Sequence, residues 1–325
     1  MKQGYTVFVG DVALDEYYEV QRFPAVKEKV GTRMLPAQMG GMVANAAAVY
    51  ASFGHKTEFV SALNRGAITE KLCAGLREAG IGTEHIIYDD NLKDSKCLIF
   101  LSKEEHEHTV FIIDTELNTI EIPPHTQQMI CGASVVYSNY CEVRHLRCGA
   151  LAGPQVMAQW KAAGARVCCD IDVADIEEDL RPYFASTDIL FMNEIGFARL
   201  CAGRAPEQAS ADILQSGVGM LVVTLAEHGS CIYCPGRTID VPGVPVDVVD
   251  VTGAGDTYCS SFVSMMETCG DPALAGTFAT YAASLAITSL GARSGAVGTQ
   301  PVLEFMRRRA EPRAGEIAAA LGQNR

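Results

Sequence analysis

Asp250-Val251-Thr252-Gly253-Ala254-Gly255-Asp256 lies between two apolar segments, and its reading decides the fold. Upstream, Val246 to Val249 alternates like the end of a buried strand. Downstream, Thr257 to Met266 reads as an apolar helix. A turn of small residues therefore joins a strand to a helix, with an aspartate in the first helical turn. Glycines let backbone N–H groups come close to an anion, and a helix N-terminus adds partial positive charge. A carboxylate beside such a nest can take a proton from an attacking hydroxyl. Movement of a phosphoryl group onto an alcohol needs that combination.

Working outward, the same strand–helix rhythm recurs. Tyr5 to Gly10 reads as a first strand, Gly41 to Phe53 as an alanine-rich helix closed by Gly54, and Lys56 to Ala62 as a strand. A helix over Ile68 to Ala79 ends at Gly80. Later strands are expected at Val135–Ser138, Val167–Ile171, Ile189–Met192 and Met220–Thr224. Helices are expected at Gln155–Ala163, after Asp175, after Met192 as two short pieces, and over Ala254–Glu267, Pro272–Leu290 and Pro301–Arg309. The tail after Glu311 reads as a loosely docked helix. Such alternation means an α/β fold with a mostly parallel sheet and helices on both faces. Residues 11–38 and 93–114 break the rhythm. Ser95–Leu101 and Thr109–Ile113 look like a hairpin with a charged tip at Lys103–His108. These stretches are read as a small β-sheet lid on a single domain spanning 1–325.

Composition narrows the class. The chain has 325 residues, 48% of them hydrophobic, enough for a large core. Its net charge of −13 argues against nucleic acid or an anionic membrane surface as partner. No apolar run reaches the roughly 18 residues of a membrane span, and the N-terminus lacks the apolar core of a signal peptide. The 12 cysteines read as small core residues in a reducing cytoplasm. Cys168 and Cys169 fall in a buried strand, and the lone Cys231-x-x-Cys234 pair flanks a strand rather than a helix start. No G-x-G-x-x-G follows the first strand and no P-loop spacing occurs, so dinucleotide oxidoreductases and P-loop enzymes are disfavoured.

Two motifs together carry a family resemblance. Gly40-Gly41-Met42-Val43-Ala44-Asn45 opens the alanine-rich helix, and the Asp250–Asp256 turn opens a late one. The chain resembles the ribokinase-like (PfkB) carbohydrate kinases, which include ribokinases, fructokinases and nucleoside kinases, over roughly residues 5 to 310. The resemblance implies a three-layer α/β/α sandwich with a small β-sheet lid. It implies Asp256 as general base, with the amides of Gly253, Ala254 and Gly255 as anion hole. It implies a sugar held by Asp15, with Asp11 as a competing candidate, and by Gly40, Gly41 and Asn45, although Asn45 could instead tie down its own turn. Arg144 and Arg33 are candidates for an acid group on the substrate, and equally for surface or dimer contacts.

For the nucleotide, Asn193, Thr224 and Gly229 match the family's phosphate-lining positions, with Ala226 where glycine is common. Glu194 would help hold Mg2+ through water, while Gly196 stands where many members carry another acid. Asp250, the Thr252 carbonyl and the Gly291-Ala292 loop fall where some members bind a monovalent cation such as K+. The implied activity is ATP-dependent phosphorylation of a sugar or sugar acid, in a cytoplasmic homodimer. A nucleoside kinase is the alternative, with Tyr137, Tyr140 and Phe111 available to a base. A non-catalytic sugar- or nucleotide-binding regulator is the alternative of another class. Lys103–His108 reads as a solvated tip rather than a metal site, and Trp160 as core.

Overall fold

The strands of the core are rich in Val, Ile and Leu because they are buried on both faces, as parallel strands must be. In the computed structural model, which describes residues 3–105, 107–171 and 179–323, nine of them form the main sheet. Its order is Arg237–Pro242, Gly229–Cys234, Met220–Thr224, Ile189–Asn193, Arg166–Asp170, Ala133–Asn139, Gln3–Val9, Thr57–Val60 and Ile81–Gly82. All neighbours are parallel except the two pairings that involve Gly229–Cys234.

Helices cover both faces. On one side Met42–Ser52, Ala67–Glu78, Ala254–Cys269, Pro272–Ala286 and Thr299–Arg308 share a core with Phe8, Tyr137 and Phe191. On the other, Pro124–Gly132, Gly153–Ala162, Glu194–Cys201 and Pro206–Gln215 pack against Val7, Val136 and Leu190. Cys168 and Cys169 are adjacent on one strand and enter opposite cores, as the twofold strand period requires. Cys231 and Cys234 are also buried and free, and Trp160 is fully buried with its indole N–H donated to Gln127.

A second, smaller sheet runs Ile-containing His108–Ile112, Lys96–Ser102, Ala13–Val20 and Thr32–Met34, with Gln38–Gly40 also on Ala13–Val20. Lys96–Ser102 and His108–Ile112 are the antiparallel hairpin read from sequence. At its tip Lys103 pairs with Glu19 at 2.9 Å; His106 lies outside the described residues.

Two expectations need correction. Val246–Val249 is not a strand: the last strand ends at Pro242, and residues 243–253 form an extended connection. Its alternation is real, since Val244 and Val246 pack on the core while Val248 and Val249 stay exposed. Among the described residues it is paired in no ladder. Instead the Val249 and Asp250 amides both donate to the carbonyl of Ile287. The tail helix, Ala314–Gln323, is not loosely docked, because Ile317 is completely buried. The helix read after Asp175 falls largely outside the described residues, which resume with a short helix at Arg181–Phe184. Among the described residues no helix is long and apolar enough to cross a membrane.

Candidate active site

The strand order reverses beside Gln3–Val9. The chain first builds toward Ile81–Gly82, then returns to lay Ala133–Asn139 on the other side. Open α/β sheets bind ligands at the carboxyl ends of strands flanking such a switch. Asp11, Asn139, Asp170, Asn193 and Thr224 stand at those ends.

Asp11 follows the first strand and reaches across to another element. Its carboxylate accepts from the amides of Met42 (2.7 Å) and Val43 (3.1 Å) and from the Asn139 side chain (3.2 Å). Helix Met42–Ser52 starts at Gly41 without a side-chain cap of its own, so Asp11 caps it from outside. Gly41 has φ +93°, and a Cβ there would lie 2.6 Å from Val12 Cα. This close crossing is why the sequence needs glycine at 41.

Asp15 sits on the smaller sheet and is 6% exposed. A Cβ on Gly40 would fall 2.1 Å from Asp15 Oδ2, so Gly40 is the gap that the carboxylate occupies. Burial, then the nearby Asp11 charge, raise Asp15 to about 6, while Arg293 and Cys97 oppose the rise. Beside it, burial and the Asp15 charge push the Cys97 thiol up to about 12. Glu142, behind Asp11, is raised to about 8 by burial and by the Asp11 charge. Tyr17 lies on the same face with its hydroxyl buried and without a hydrogen-bond partner among the described residues.

Asp256 lies in the first turn of helix Ala254–Cys269. Small side chains let this helix close on Met42–Ser52, and Ser260 Oγ donates to the Ala46 carbonyl at 2.6 Å. The contact brings Asn45 Nδ2 to 3.0 Å from Asp256 Oδ2. A hydrogen bond to a charged acceptor of this kind contributes about 1.5–3 kcal/mol. Asn45 thus ties two elements together rather than its own turn. Its Oδ1 accepts from Arg293 Nε at 3.1 Å, and the same guanidinium donates to the Gly40 carbonyl at 3.4 Å. The sequence reading missed Arg293. A signal was present: it is the only charged residue between Asp271 and Glu304, bracketed by Gly291 and Gly295.

Gly253 has φ +77°, and a Cβ there would be 2.0 Å from the Ala292 carbonyl oxygen. Gly255 faces open space, with nothing within 4 Å of its would-be Cβ. The Ala254 amide donates to Val251 O at 3.2 Å, whereas those of Gly253 and Gly255 have no acceptor among the described residues. The Asp250 carboxylate anchors the turn by accepting from Thr252 N and Gly291 N, each at 2.9 Å.

Asn193 and Thr224 end adjacent strands in register. Asn193 Oδ1 caps the next helix through Gly196 N at 2.8 Å, and Glu194 is exposed at that helix start. Gly229 has φ +97° where its strand begins, and a Cβ would lie 2.0 Å from Val241 O. Ala226 has φ +49°, a left-handed conformation that accounts for glycine's suitability at this position.

Arg33 is placed apart from this cluster of contacts, while Arg144 reaches it through its charge on Glu142, whose rise it opposes. Arg144 is exposed and donates to His145 Nε2 at 3.1 Å. Arg33, equally exposed, pairs with Glu19 at 3.0 Å. Tyr137 and Tyr140 are buried in the two cores, Tyr137 against Phe8 and Phe191 and Tyr140 against Tyr183, while Phe111 is exposed on the smaller sheet.

Over residues 4–298 the chain matches the family model pfkB family carbohydrate kinase. The chain belongs to this family. It is therefore a carbohydrate kinase, a phosphotransferase with an alcohol acceptor, on the ribokinase-like α/β/α fold. It is similar to the ribokinase of Haemophilus influenzae, at 25% identity over 94% of this chain and 99% of that one. It is also similar to a nucleoside kinase of Methanocaldococcus jannaschii, at 26% identity over 81% and 85% of the two chains. Among solved structures, the Arabidopsis thaliana ribokinase complexed with ribose and ATP superposes with a TM-score of 0.80 and 25% identity, covering 94% of this chain and 99% of that one.

Proposed function

We propose that this pfkB-family kinase transfers the γ-phosphoryl group of ATP to a hydroxyl of a neutral sugar. One arrangement carries the reading: the Asp256 carboxylate, held by Asn45, stands beside two backbone amides that lack internal acceptors. Asp15 orients the acceptor by accepting from its hydroxyls. Asp256 takes the proton of the attacking hydroxyl as the new O–P bond forms and the bond to the β-phosphate oxygen breaks. The Gly253 and Gly255 amides receive the charge on the transferring group. Asn193, Thr224 and Gly229 line the remaining phosphates.

Mg2+ supplies charge neutralisation of those phosphates. Among the described residues no cluster of three His, Cys, Asp or Glu could hold a metal. This fits an ion held by phosphates and water, with Glu194 offering a carboxylate to that water. Both Asp250 oxygens accept backbone N–H groups and retain lone pairs, so Asp250 and the Thr252 carbonyl would be the groups to hold a K+ ion. The smaller sheet serves as the lid of a single kinase domain and carries Asp15 onto the acceptor.

A neutral acceptor is favoured over a sugar acid because Asp11, Asp15 and Glu142 are neighbours, and Arg144 faces solvent. In an assay with MgATP and a panel of pentoses, hexoses, sugar acids and nucleosides, a neutral sugar is expected to give the fastest ADP release. Chelating Mg2+ should abolish it, and exchanging K+ for tetramethylammonium should slow it. An acid or nucleoside outpacing every neutral sugar would overturn the substrate class; no acceptor-stimulated ADP release would favour a binding protein. The edge strand His108–Ile112 exposes Phe111 and Ile112, at 53% and 81%. Pairing two lids would cover this edge, so light scattering at micromolar protein should give a dimer mass. A monomer mass would remove that part of the proposal.

A further inference from the structure

Arg293 belongs to none of the motifs from which the site was read, yet it is wired into the base. It sits in the loop after helix Pro272–Ala286 and donates through Nε to Asn45 Oδ1 at 3.1 Å. An arginine has donors only, so the oxygen of the Asn45 amide must face it. The amide nitrogen is then forced to the other side, where it donates to Asp256 Oδ2 at 3.0 Å. Asn45 is 5% exposed, which leaves it no solvent alternative. The second guanidinium arm reaches the carbonyl of Gly40, the residue that abuts the Asp15 carboxylate.

We propose that Arg293 is a positioning residue for phosphoryl transfer, locking the Asn45 amide so that it donates to the catalytic carboxylate and registering that carboxylate against the acceptor-binding Asp15. The inference rests on the reading of Asp256 as the base.

The charges agree with the geometry. Burial lowers Arg293 to about 10, and Asp15 and Asp256 both oppose that fall. It remains a cation at neutral pH. Among the described residues, two other titratable groups feel the Asp256 charge, Tyr137 on strand Ala133–Asn139 and Cys259 on the same helix as Asp256, and both also feel Asp170 at its strand end. Burial drives Tyr137 and Cys259 upward, so both stay neutral, and Asp170 and Asp15 are acids. Arg293 is thus a cation that Asp15 and Asp256 share, and it favours the ionised form of Asp256, the form that can accept a proton.

The test compares Arg293→Met, Arg293→Lys and Asp256→Asn in the full chain. Each is assayed with MgATP and the neutral sugar that the parent turns over fastest. Arg293→Met is expected to lower kcat about tenfold or more with little change in the KM for ATP. The acid limb of kcat/KM should move to higher pH. Arg293→Lys keeps the charge but not the planar donor. It should leave the limb near its parental position and still lower kcat. Should Arg293→Met fail to fold, Arg293→Lys decides alone: parental kcat in that variant overturns the positioning role. A folded Arg293→Met with parental kcat and an unmoved limb overturns it as well. If Asp256→Asn is inactive in the same series, the base reading survives that failure. If Asp256→Asn turns over normally, the base reading itself falls.

Discussion

Asp256→Asn is expected to lower kcat by about 10²–10⁴-fold while ATP still binds. Asparagine has nearly the same shape and retains an oxygen that can accept from Asn45 Nδ2, which now lies 3.0 Å from the carboxylate. The geometry should therefore survive while the capacity to take a proton is lost. Because only the chemical step depends on that capacity, KM for the sugar and Kd for ATP should change much less than kcat. Rapid-quench measurement of phosphoryl transfer, beside calorimetric titration of ATP, separates the two. Turnover within about fivefold of the parent would remove Asp256 from the mechanism.

Replacing either glycine of the turn by alanine should reduce activity, but for different reasons that melting can resolve. At Gly253 the added Cβ would lie 2.0 Å from the Ala292 carbonyl oxygen, and the φ of +77° is unfavourable for alanine. The left-handed backbone alone costs about 1–2 kcal/mol. Relief of the clash must move either the turn or the loop carrying Arg293, and so displaces Asp256 or its support. Gly253→Ala should therefore lower Tm by several degrees and kcat by about 10²-fold, the loss that a 1 Å misplacement produces. Gly255 has nothing within 4 Å of its would-be Cβ and lies in the first turn of helix Ala254–Cys269. Alanine there gains roughly 1 kcal/mol of helix propensity, so Gly255→Ala should hold or raise Tm. Its methyl group would project into the space assigned to the transferring group, so kcat should fall nonetheless. A Gly255→Ala enzyme with full activity would show that this space is not used.

The fold was legible where local rules suffice. Alternating strands and helices, closed by Gly54 and Gly80, announced a parallel sheet before any coordinate. The clearest misreading, a strand at Val246–Val249, applied a sound periodicity rule to a segment that joins no ladder among the described residues. Side-chain alternation reports which way residues face, not whether a ladder exists to receive their backbone. The site divides in the same way. Gly253, Gly255 and Asp256 are neighbours in sequence, so turn chemistry alone is enough to nominate them. Asp15 is the first candidate for the sugar and Asp11 its competitor, because both are acids following one strand. They part only in space, where Asp11 meets the amides of Met42 and Val43 while Asp15 fills the gap at Gly40.

The architecture, the glycine turn and the carboxylate within it can be read along the chain, because each depends on interactions among residues a few positions apart. What holds that carboxylate is set by packing between distant segments. Asn45 lies 211 positions from Asp256, and Arg293 lies 248 positions from Asn45. No local propensity encodes such contacts; they arise when two small-residue helices pack and bring a single buried cation to a pair of acids.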